Sequence, residues 1–398
     1  MQSDSSWRTF DLFAPTPEHG LLAETLARFV DEEVEPQALA SDREERFNHA
    51  LFRRAGDLGM LGVILPEAHG GAGLDAVAAV QVCEALSRSD PGFALAVLAH
   101  AILFAQNVHV NGNDEQRSRV LPRAASGEWL GGLCMTEPEV GTDVLAMRTA
   151  ARREGEVYVI DGTKTFITNG GSDERTLGDA FVVYARTGER SLSAFLVEKG
   201  MGGFRLGQLW KDKLGMRASV TAELVFEGVR VPVANRLGEE GQGTLAMMRN
   251  LEIERLALAG MSTGIASRCL HVMVDYANQR KAFGKVLREH GQIQRHIAES
   301  YAEYRAARSL VYETARRMDL AATGQRIDAD AAKLFAAQAA KRAADAAIQV
   351  LGGYGYMGEN VVERLWRDAK LLEIGGGTLE AHHKNLAADL GRDPSQIY

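Results

Sequence analysis

The sequence predicts an α+β protein with three parts: an N-terminal helical domain, a middle β domain built as a barrel or sheet, and a C-terminal domain like a four-helix bundle. A length of 398 residues exceeds what one hydrophobic core usually supports. Helical periodicity at both ends of the chain and short β-branched runs between them indicate the order of the parts. We place the domains at residues 1–130, 131–242 and 243–398.

The first part has a helical pattern from residue 18 to residue 130, with apolar residues repeating at spacings of three and four. Residues 91–113 contain no charged side chain and could be mistaken for a membrane span. Their apolar run is interrupted by His100 and ends at Gln106, which is short of the ~20 residues that a bilayer needs. We therefore expect a core helix and no membrane span.

The pattern changes to β near residue 151. The run 157–160 is followed by Asp161-Gly162 and then by the run 163–167, which predicts a hairpin around an Asp-Gly turn. Further strands are predicted over 180–186, 192–198 and 222–231, separated by glycine-rich turns.

Long helices return in the last part and are predicted over 245–283, 292–318 and 328–351. The third is rich in alanine and stops at Gly352-Gly353, a pattern typical of a helix end. Residues 353–358 match GxGxxG, but that motif indicates dinucleotide binding only between a strand and a helix. Here it follows a helix, so we interpret the glycines as a helix end where a ligand can approach the backbone closely.

Composition excludes several classes of function. A net charge of -8 gives no electrostatic footprint for nucleic acid. The three cysteines are far apart and form no CxxC pair, which argues against a zinc ribbon, a redox dithiol and a secreted disulfide framework, and no metal site is expected. The first residues include acids and no apolar stretch, so we expect a cytoplasmic protein.

Two strings of residues carry a family resemblance. Residues 134–143 (CMTEPEVGTD) and 349–356 (QVLGGYGY), the second followed by Arg364 and Asp368, resemble the two signature motifs of the acyl-CoA dehydrogenase family. Residues 163–170, 280–285 and 374–378 resemble, in the family's order, its flavin-contacting strand, the segment that reaches FAD across a subunit interface, and the end of the active-site loop. The resemblance covers almost the whole chain and implies an FAD enzyme that places a double bond between the α and β carbons of an acyl-CoA.

The resemblance also assigns residues to the cofactor. Met135, Thr136 and Thr168 would hydrogen-bond the polar edge of the flavin, Phe166 would pack on its ring, and Arg280 would neutralise phosphate. The full FAD set comprises Met135, Thr136, Gly141, Thr142, Phe166, Thr168, Arg280, Phe283, Gln292, Gln349, Gly352, Gly353, Thr378 and Glu380. A homotetramer and an electron-transfer flavoprotein as electron acceptor are further implications of the resemblance.

This chain departs from the family pattern at four places. Glu139 and Val140 replace residues that are usually small, and Phe166 stands where many members carry Trp. A carboxylate at Glu139 would be unfavourable near a pyrophosphate unless it points to solvent. Gly376 occupies the loop position that supplies the catalytic carboxylate in many relatives, and glycine has no proton acceptor.

The reaction needs a base for the α proton, and the helix beginning near Leu245 offers two acids. Its residues 251–256 (LEIERL) resemble the isovaleryl-CoA dehydrogenase branch, whose base lies on this helix. Glu252 has Arg249 and Arg255 three residues away on either side, a setting that predicts solvated ion pairs and a low pKa.

Glu254 shares its helix face with Leu251, Ala257 and Leu258 instead. Burial on that face raises the pKa of a carboxyl toward the working range of a general base. We therefore predict Glu254 as the catalytic residue. Arg255 either orients the base, contacts the ligand or pairs with Glu252.

The room left by the glycine loop favours a short branched acyl group, as in isovaleryl-CoA. The residues expected to contact the substrate are Leu95, Ala99, Thr142, Arg255, Gly375 and Gly376. Alternatives are a longer branched thioester such as citronellyl-CoA, a flavin monooxygenase or oxidase of the same fold, and a noncatalytic acyl-CoA-binding protein.

Overall fold

The computed structural model describes residues 11–173 and 175–397 and begins with a helical part. Its helices are α1 (Pro17–Phe29), α2 (Glu35–Glu44), α3 (His49–Asp57), α4 (Ala76–Ser87), α5 (Pro91–Asn111) and α6 (Asp114–Ala125). Side-chain caps fix several starts: Asp75 accepts from Val77 N at the start of α4, and Asn113 and Gln116 form a reciprocal capping box at the start of α6.

Helix α5 is the charge-free segment, and it lies in the core as predicted. By length and composition it is the one helix within the described ranges that could cross a membrane, but 83% of its most apolar window is buried inside the protein. His100 ties it to its surroundings: Nε2 lies 2.9 Å from Ala124 O, and Nδ1 accepts from Gly131 N at 2.9 Å. Burial lowers the pKa of His100 to about 4, so the ring is neutral and can accept at Nδ1.

The middle part is a sheet of eight strands in the described chain. The strands are β1 (Gly131–Cys134), β2 (Ala150–Glu154), β3 (Val157–Thr168), β4 (Ala180–Gly188), β5 (Ser191–Glu198), β6 (Phe204–Leu209), β7 (Thr221–Pro232) and β8 (Arg236–Leu237). They lie in the order β6-β7-β3-β2-β4-β5-β8, and β1 pairs parallel with β4. The three strands predicted after the hairpin correspond to β4, β5 and β7.

The hairpin predicted around Asp161-Gly162 is wrong. Both residues lie inside β3, which continues through them with a shift of register against β7. Gly162 has φ +150°, and a Cβ there would lie 2.5 Å from Thr149 Oγ1, so glycine allows a bulge at this point and not a turn. The true turn precedes Val157, at Gly155 with φ +61°, and joins β2 to β3.

The last part contains the three long helices and three shorter ones: α7 (Gly243–Gln279), α8 (Gly291–Arg317), α9 (Arg326–Leu351), α10 (Gly353–Tyr356), α11 (Val361–Leu372) and α12 (Leu379–Arg392). Helix α7 ends four residues earlier than predicted, because Arg280 is extended and a small hairpin of β9 (Lys281–Ala282) and β10 (Lys285–Val286) follows. The GxGxxG residues begin α10, directly after a helix, so they are not a dinucleotide fingerprint.

Helix α7 is the central element that positions the candidate site. It packs against α4 of the first part and against α8 and α9 of the last. Gly264 makes one of these contacts close, since a Cβ there would lie 2.2 Å from the carbonyl oxygen of Glu84 on α4. The middle of α7 is therefore enclosed by helices of both parts.

Candidate active site

Glu254 lies on the first half of α7 with only 9% of its surface exposed. Its Oε2 atom is buried and has no hydrogen-bond partner among the described residues. Burial raises the pKa of this carboxyl to about 7, against the opposing charges of Arg255 and Lys333. A carboxyl that is half ionised near neutral pH and has a free acceptor atom has the properties of a general base.

The turn that contains Gly376 lies directly beside this carboxyl. Gly376 has φ +67°, and a Cβ there would lie 2.3 Å from Leu258 Cδ1 and 3.6 Å from Glu254 Oε1. A side chain at position 376 and the side chain of Glu254 would thus enter the same space. The structure brings together the residue predicted as the base and the glycine that vacates the loop position.

Two buried cations hold this glycine turn. The Nε of Arg255 donates to Gly376 O at 3.3 Å, and the Nζ of Lys333 donates to Gly377 O at 2.7 Å. Arg255 also pairs with the buried carboxylate of Asp330 at 2.8 Å. Both backbone carbonyls of the turn therefore face positive charge.

The sequence reasoning missed Asp330, Lys333 and His382. Asp330 and Lys333 are three residues apart on the alanine-rich α9 and are fully buried. His382 on α12 is also fully buried, and its Nδ1 lies 3.0 Å from Asp330 Oδ1. Two charged residues at helical spacing among buried alanines were the available signal.

The predicted ion pairs of Glu252 are wrong. Glu252 is buried, and its carboxylate accepts from Gly324 N and Gln325 N, both at 3.1 Å. Arg255 points to Asp330 instead, and the guanidinium of Arg249 lies 3.5 Å from an Asn111 oxygen. Sequence spacing gave the helix face, but it could not identify partners from other elements.

The end of β1 lies against β3, where the flavin-contacting residues are expected. Thr165 N donates to Thr136 O at 2.9 Å, and the buried ammonium of Lys164 donates to Met135 O at 3.0 Å. The same ammonium forms a buried ion pair with Glu137 at 3.0 Å. Met135 and Thr136 follow β1 in a loop, not a strand, and this ion pair fixes the loop.

Phe166 projects from β3 in an unusual conformation. Its φ is +57°, its side chain is 62% exposed, and its ring centroid lies 5.2 Å from that of Trp210. Thr168, the last residue of β3, pairs with Thr221 of β7. A left-handed conformation is rare for an aromatic residue, and such strain concentrates where a side chain serves a ligand.

The loop after Pro138 is exposed. Glu139 points to solvent, where its carboxylate pairs with Arg148 at 2.7 Å, which removes the conflict expected near a pyrophosphate. Gly141 and Thr142 are also exposed and accessible to a ligand.

Comparison with known proteins identifies the family. The models for the acyl-CoA dehydrogenase N-terminal, middle and C-terminal domains match residues 16–128, 132–229 and 241–391. This chain belongs to the acyl-CoA dehydrogenase family. It is therefore a flavin-dependent oxidoreductase that acts on acyl-CoA thioesters.

The proteins similar to this chain include enzymes named for different acyl groups. The chain is 39% identical over 388 residues to a mitochondrial isovaleryl-CoA dehydrogenase of Oryza sativa subsp. japonica, covering 96% of this chain and 93% of the relative. It is 38% identical over 372 residues to a short-chain specific acyl-CoA dehydrogenase of Clostridium acetobutylicum, covering 92% and 96%. An acyl-CoA dehydrogenase of Bacillus anthracis solved with FAD matches with a TM-score of 0.88 and 32% identity, over 96% of this chain and 68% of that one.

Acyl-CoA dehydrogenases are FAD enzymes, and the surface of this chain fits such a cofactor. The exposed ring of Phe166, packed against the partly buried Trp210, offers aromatic surface for a flat ring system. At the end of α9, Gly352 has φ +60°, and no atom lies within 4 Å of a Cβ built there, so a ligand can reach the backbone.

The other residues assigned to FAD lie on the surface of the last part. Arg280, Phe283, Gln292, Gln349 and Gly353 are all exposed, Phe283 to 97%. The rings of Tyr276 and Tyr354 are 6.3 Å apart, which brings the end of α7 near the glycine turn after α9. Thr378 caps α12 by accepting from Ala381 N at 3.2 Å, and Glu380 is exposed in the first turn of that helix.

The two residues predicted to line the acyl pocket lie on α5. Leu95 is partly buried and Ala99 is buried. Between them, Ala96 O accepts from the side chain of Asn169 at 2.9 Å, and Asn169 directly follows β3. This hydrogen bond ties α5, between Leu95 and Ala99, to the end of β3, the strand expected to contact the flavin.

Proposed function

We propose that this acyl-CoA dehydrogenase oxidises a short branched acyl-CoA of the isovaleryl type to the 2-enoyl-CoA, with Glu254 as the base that removes the α proton. One observation carries the proposal. The buried carboxyl of Glu254, one oxygen of which has no hydrogen-bond partner among the described residues, lies in the space beside Gly376 that a loop side chain would fill.

The chemistry follows from what surrounds this carboxyl. Because burial raises its pKa to about 7, Glu254 is ionised in a large fraction of molecules at neutral pH and still basic enough to accept a proton. Bound FAD supplies the acceptor for the β hydride. Glu254 then holds the α proton in a site from which its burial excludes water.

Support for a branched acyl group comes from the same turn. Gly376 presents no side chain beside Glu254, and Ala99 on α5 is small. An acyl chain with a β-methyl branch needs extra width next to its α and β carbons, and small residues there supply it. Relatives at similar identity include both isovaleryl-CoA and short-chain enzymes. The choice of acyl group therefore rests on this structural argument and not on the comparisons.

Anaerobic flavin reduction against a panel of acyl-CoAs tests the proposal. We expect isovaleryl-CoA to bleach the flavin fastest, ahead of butyryl-CoA and citronellyl-CoA. A faster reaction with the straight chain would contradict the branched substrate, and a faster reaction with citronellyl-CoA would move the proposal to longer branched thioesters.

The role of Glu254 has its own test. We expect Glu254→Gln to retain FAD, because the amide has nearly the same shape as the buried acid, and to lose flavin reduction by every acyl-CoA. A variant that is still bleached at the wild-type rate would exclude Glu254 as the base. If no acyl-CoA bleaches the wild type but oxygen consumes its reduced flavin, the oxidase alternative applies.

The proposal includes a homotetramer that delivers electrons to an electron-transfer flavoprotein, and a cytoplasmic location. The exposed aromatic side chains of Phe283 and Tyr356, at 97% and 83%, support contacts with another subunit. Sedimentation of the holoenzyme tests the tetramer, since a monomer at micromolar concentration would contradict it.

A further inference from the structure

We propose that Lys333 is a positioning residue for the reaction: it fixes the glycine turn against Glu254 and supplies the positive charge that keeps the base ionised. This inference rests on the proposed role of Glu254. It goes further because neither the predicted base nor any residue expected to contact the substrate lies on α9.

Lys333 lies in direct contact with the backbone of the glycine turn. The lysine is fully buried, and its Nζ donates to Gly377 O at 2.7 Å. On the same turn, Arg255 donates to Gly376 O at 3.3 Å. A turn of glycines has little intrinsic preference for one conformation. Two charge-assisted hydrogen bonds to consecutive carbonyls therefore add to the backbone bond from Gly375 N to Leu371 O and fix the turn beside Glu254.

The surrounding charges distinguish Lys333 from Arg255. The charge of Arg255 is paired with Asp330 at 2.8 Å, and Asp330 also faces His382 at 3.0 Å and accepts from Asn385 at 2.9 Å. The hydrogen bond of Lys333, in contrast, goes to a neutral carbonyl. Among the described residues Lys333 forms no ion pair, and Glu254 is the acid whose charge acts on it most strongly.

Other titratable groups near Glu254 and Lys333 lie on the helices packed around them. Burial lowers the pKa of His382 on α12, which disfavours a third cation beside Arg255 and Lys333. Burial also lowers the pKa of Lys333 to about 8, against the attraction of Glu254. Glu373, at the end of α11, is a nearby acid but forms an ion pair with Lys370 at 2.7 Å.

Three variants of the holoenzyme test the inference, each followed by the pH dependence of kcat/KM for flavin reduction by isovaleryl-CoA. Lys333→Met keeps an unbranched side chain, one atom shorter, and removes its charge and its hydrogen bond to Gly377 O. Without that cation the carboxylate of Glu254 is less favoured, so we expect the acid limb of the profile to move up by about one pH unit, with an approximately tenfold loss of rate at pH 6.

Asp330→Asn should act in the opposite direction. It removes a negative charge near Glu254 and releases Arg255 from its partner, so the acid limb should move to lower pH. This variant also tests the account if Lys333→Met does not retain FAD. An unchanged limb in Asp330→Asn would then contradict control of Glu254 by this cluster.

Lys213→Met is the matched control. Lys213 is a partly buried lysine, and its Nζ donates to Met216 O at 2.9 Å, in a loop whose neighbouring acids are Glu45, Asp42 and Asp368. Its loss should lower the melting temperature and leave the acid limb in place. If Lys333→Met also lowers only the melting temperature, the lysine is merely structural and the inference fails.

The outcome separates this inference from the proposed function. If Glu254→Gln abolishes flavin reduction and Lys333→Met leaves the limb unmoved, only the role of Lys333 is wrong. If Glu254→Gln retains the rate, the base itself is misassigned and both fail.

Discussion

Two buried carboxyls in this protein have the same raised pKa and different surroundings. Burial raises the pKa of Glu254 on α7 and of Asp368 on α11 to about 7 in both cases, with nearby arginines opposing the shift. Asp368, which belongs to the second signature motif, accepts a hydrogen bond from Met216 N. Glu254 has an oxygen with no partner in the described chain.

The space around the two groups differs as well. Beside Asp368, a Cβ at Gly215 would lie 2.7 Å from three backbone atoms of α11, so the loop is packed tightly against the helix. Beside Glu254, the Cβ site of Gly376 is 3.6 Å from the carboxylate and its closest neighbour is the tip of a leucine side chain. A raised pKa alone therefore does not distinguish the two carboxyls. The acceptor without a partner among the described residues, next to space that can adjust, is what favours Glu254 as the base.

The largest expected difference between the two regions is in rate. Glu254→Gln should slow flavin reduction by isovaleryl-CoA about 10³-fold or more, because a positioned general base contributes 10²–10⁴-fold. Asp368→Asn should stay within about threefold of wild type, since this carboxyl has no role in proton transfer. Stopped-flow measurement on both FAD-loaded variants makes the comparison, and a similar loss in both would erase the distinction.

Replacing Gly215 and Gly376 with alanine should affect stability and activity to different extents. Gly215→Ala meets backbone that cannot move aside, and we expect about 3 kcal/mol of lost unfolding free energy. Gly376→Ala meets Leu258, which can rotate, but must adopt φ +67°, at a cost of about 1–2 kcal/mol.

The rate of flavin reduction should change in the reverse order, with a larger loss in Gly376→Ala than in Gly215→Ala. The methyl group of Gly376→Ala narrows the space beside Glu254 and should reduce the rate, most strongly with the branched substrate. Folded Gly215→Ala should react at the wild-type rate. Denaturant titrations and stopped-flow traces on the same preparations give both quantities, and a slower Gly215→Ala would show that the two sites are coupled.

In the pH dependence of stability the two carboxyls should behave alike. A raised pKa means that the folded state favours the protonated acid, so stability is lost as pH rises from the unfolded value, 4.5 for Glu254 and 3.8 for Asp368, to about 7. Glu254→Gln and Asp368→Asn should each reduce the fall in unfolding free energy between pH 5 and 8 by about 2–3 kcal/mol. An unchanged fall in either variant would mean that the corresponding acid is ionised throughout.

The sequence predicted the order of helical, β and helical parts because periodicity is a local property of the chain. It also placed Glu254 on an apolar face of α7. It could not predict that Asp161-Gly162 forms a bulge, since the partner of that segment is β7, some sixty residues later. The strand pairing across the sheet overrode the local turn signal.

The site was predictable only where its residues are neighbours in sequence or match the family motifs. The partners of Arg255 and Glu252 come from α9 and the segment before it, more than seventy residues away. Charge spacing along α7 predicted ion pairs of Glu252 within that helix. In the structure, the buried charged groups pair with residues that are close in space and distant in sequence. Lys333 was missed for the same reason.

The pH dependence of kcat/KM for flavin reduction by isovaleryl-CoA tests the central claim most directly, because this constant reports ionisation of the base in the free enzyme. With Glu254 as the base, kcat/KM should rise tenfold per pH unit below about 7 and level off above it, in wild type and in Asp368→Asn alike. A profile that is flat from pH 5 to 8, or whose limb moves in Asp368→Asn, would contradict the assignment of Glu254.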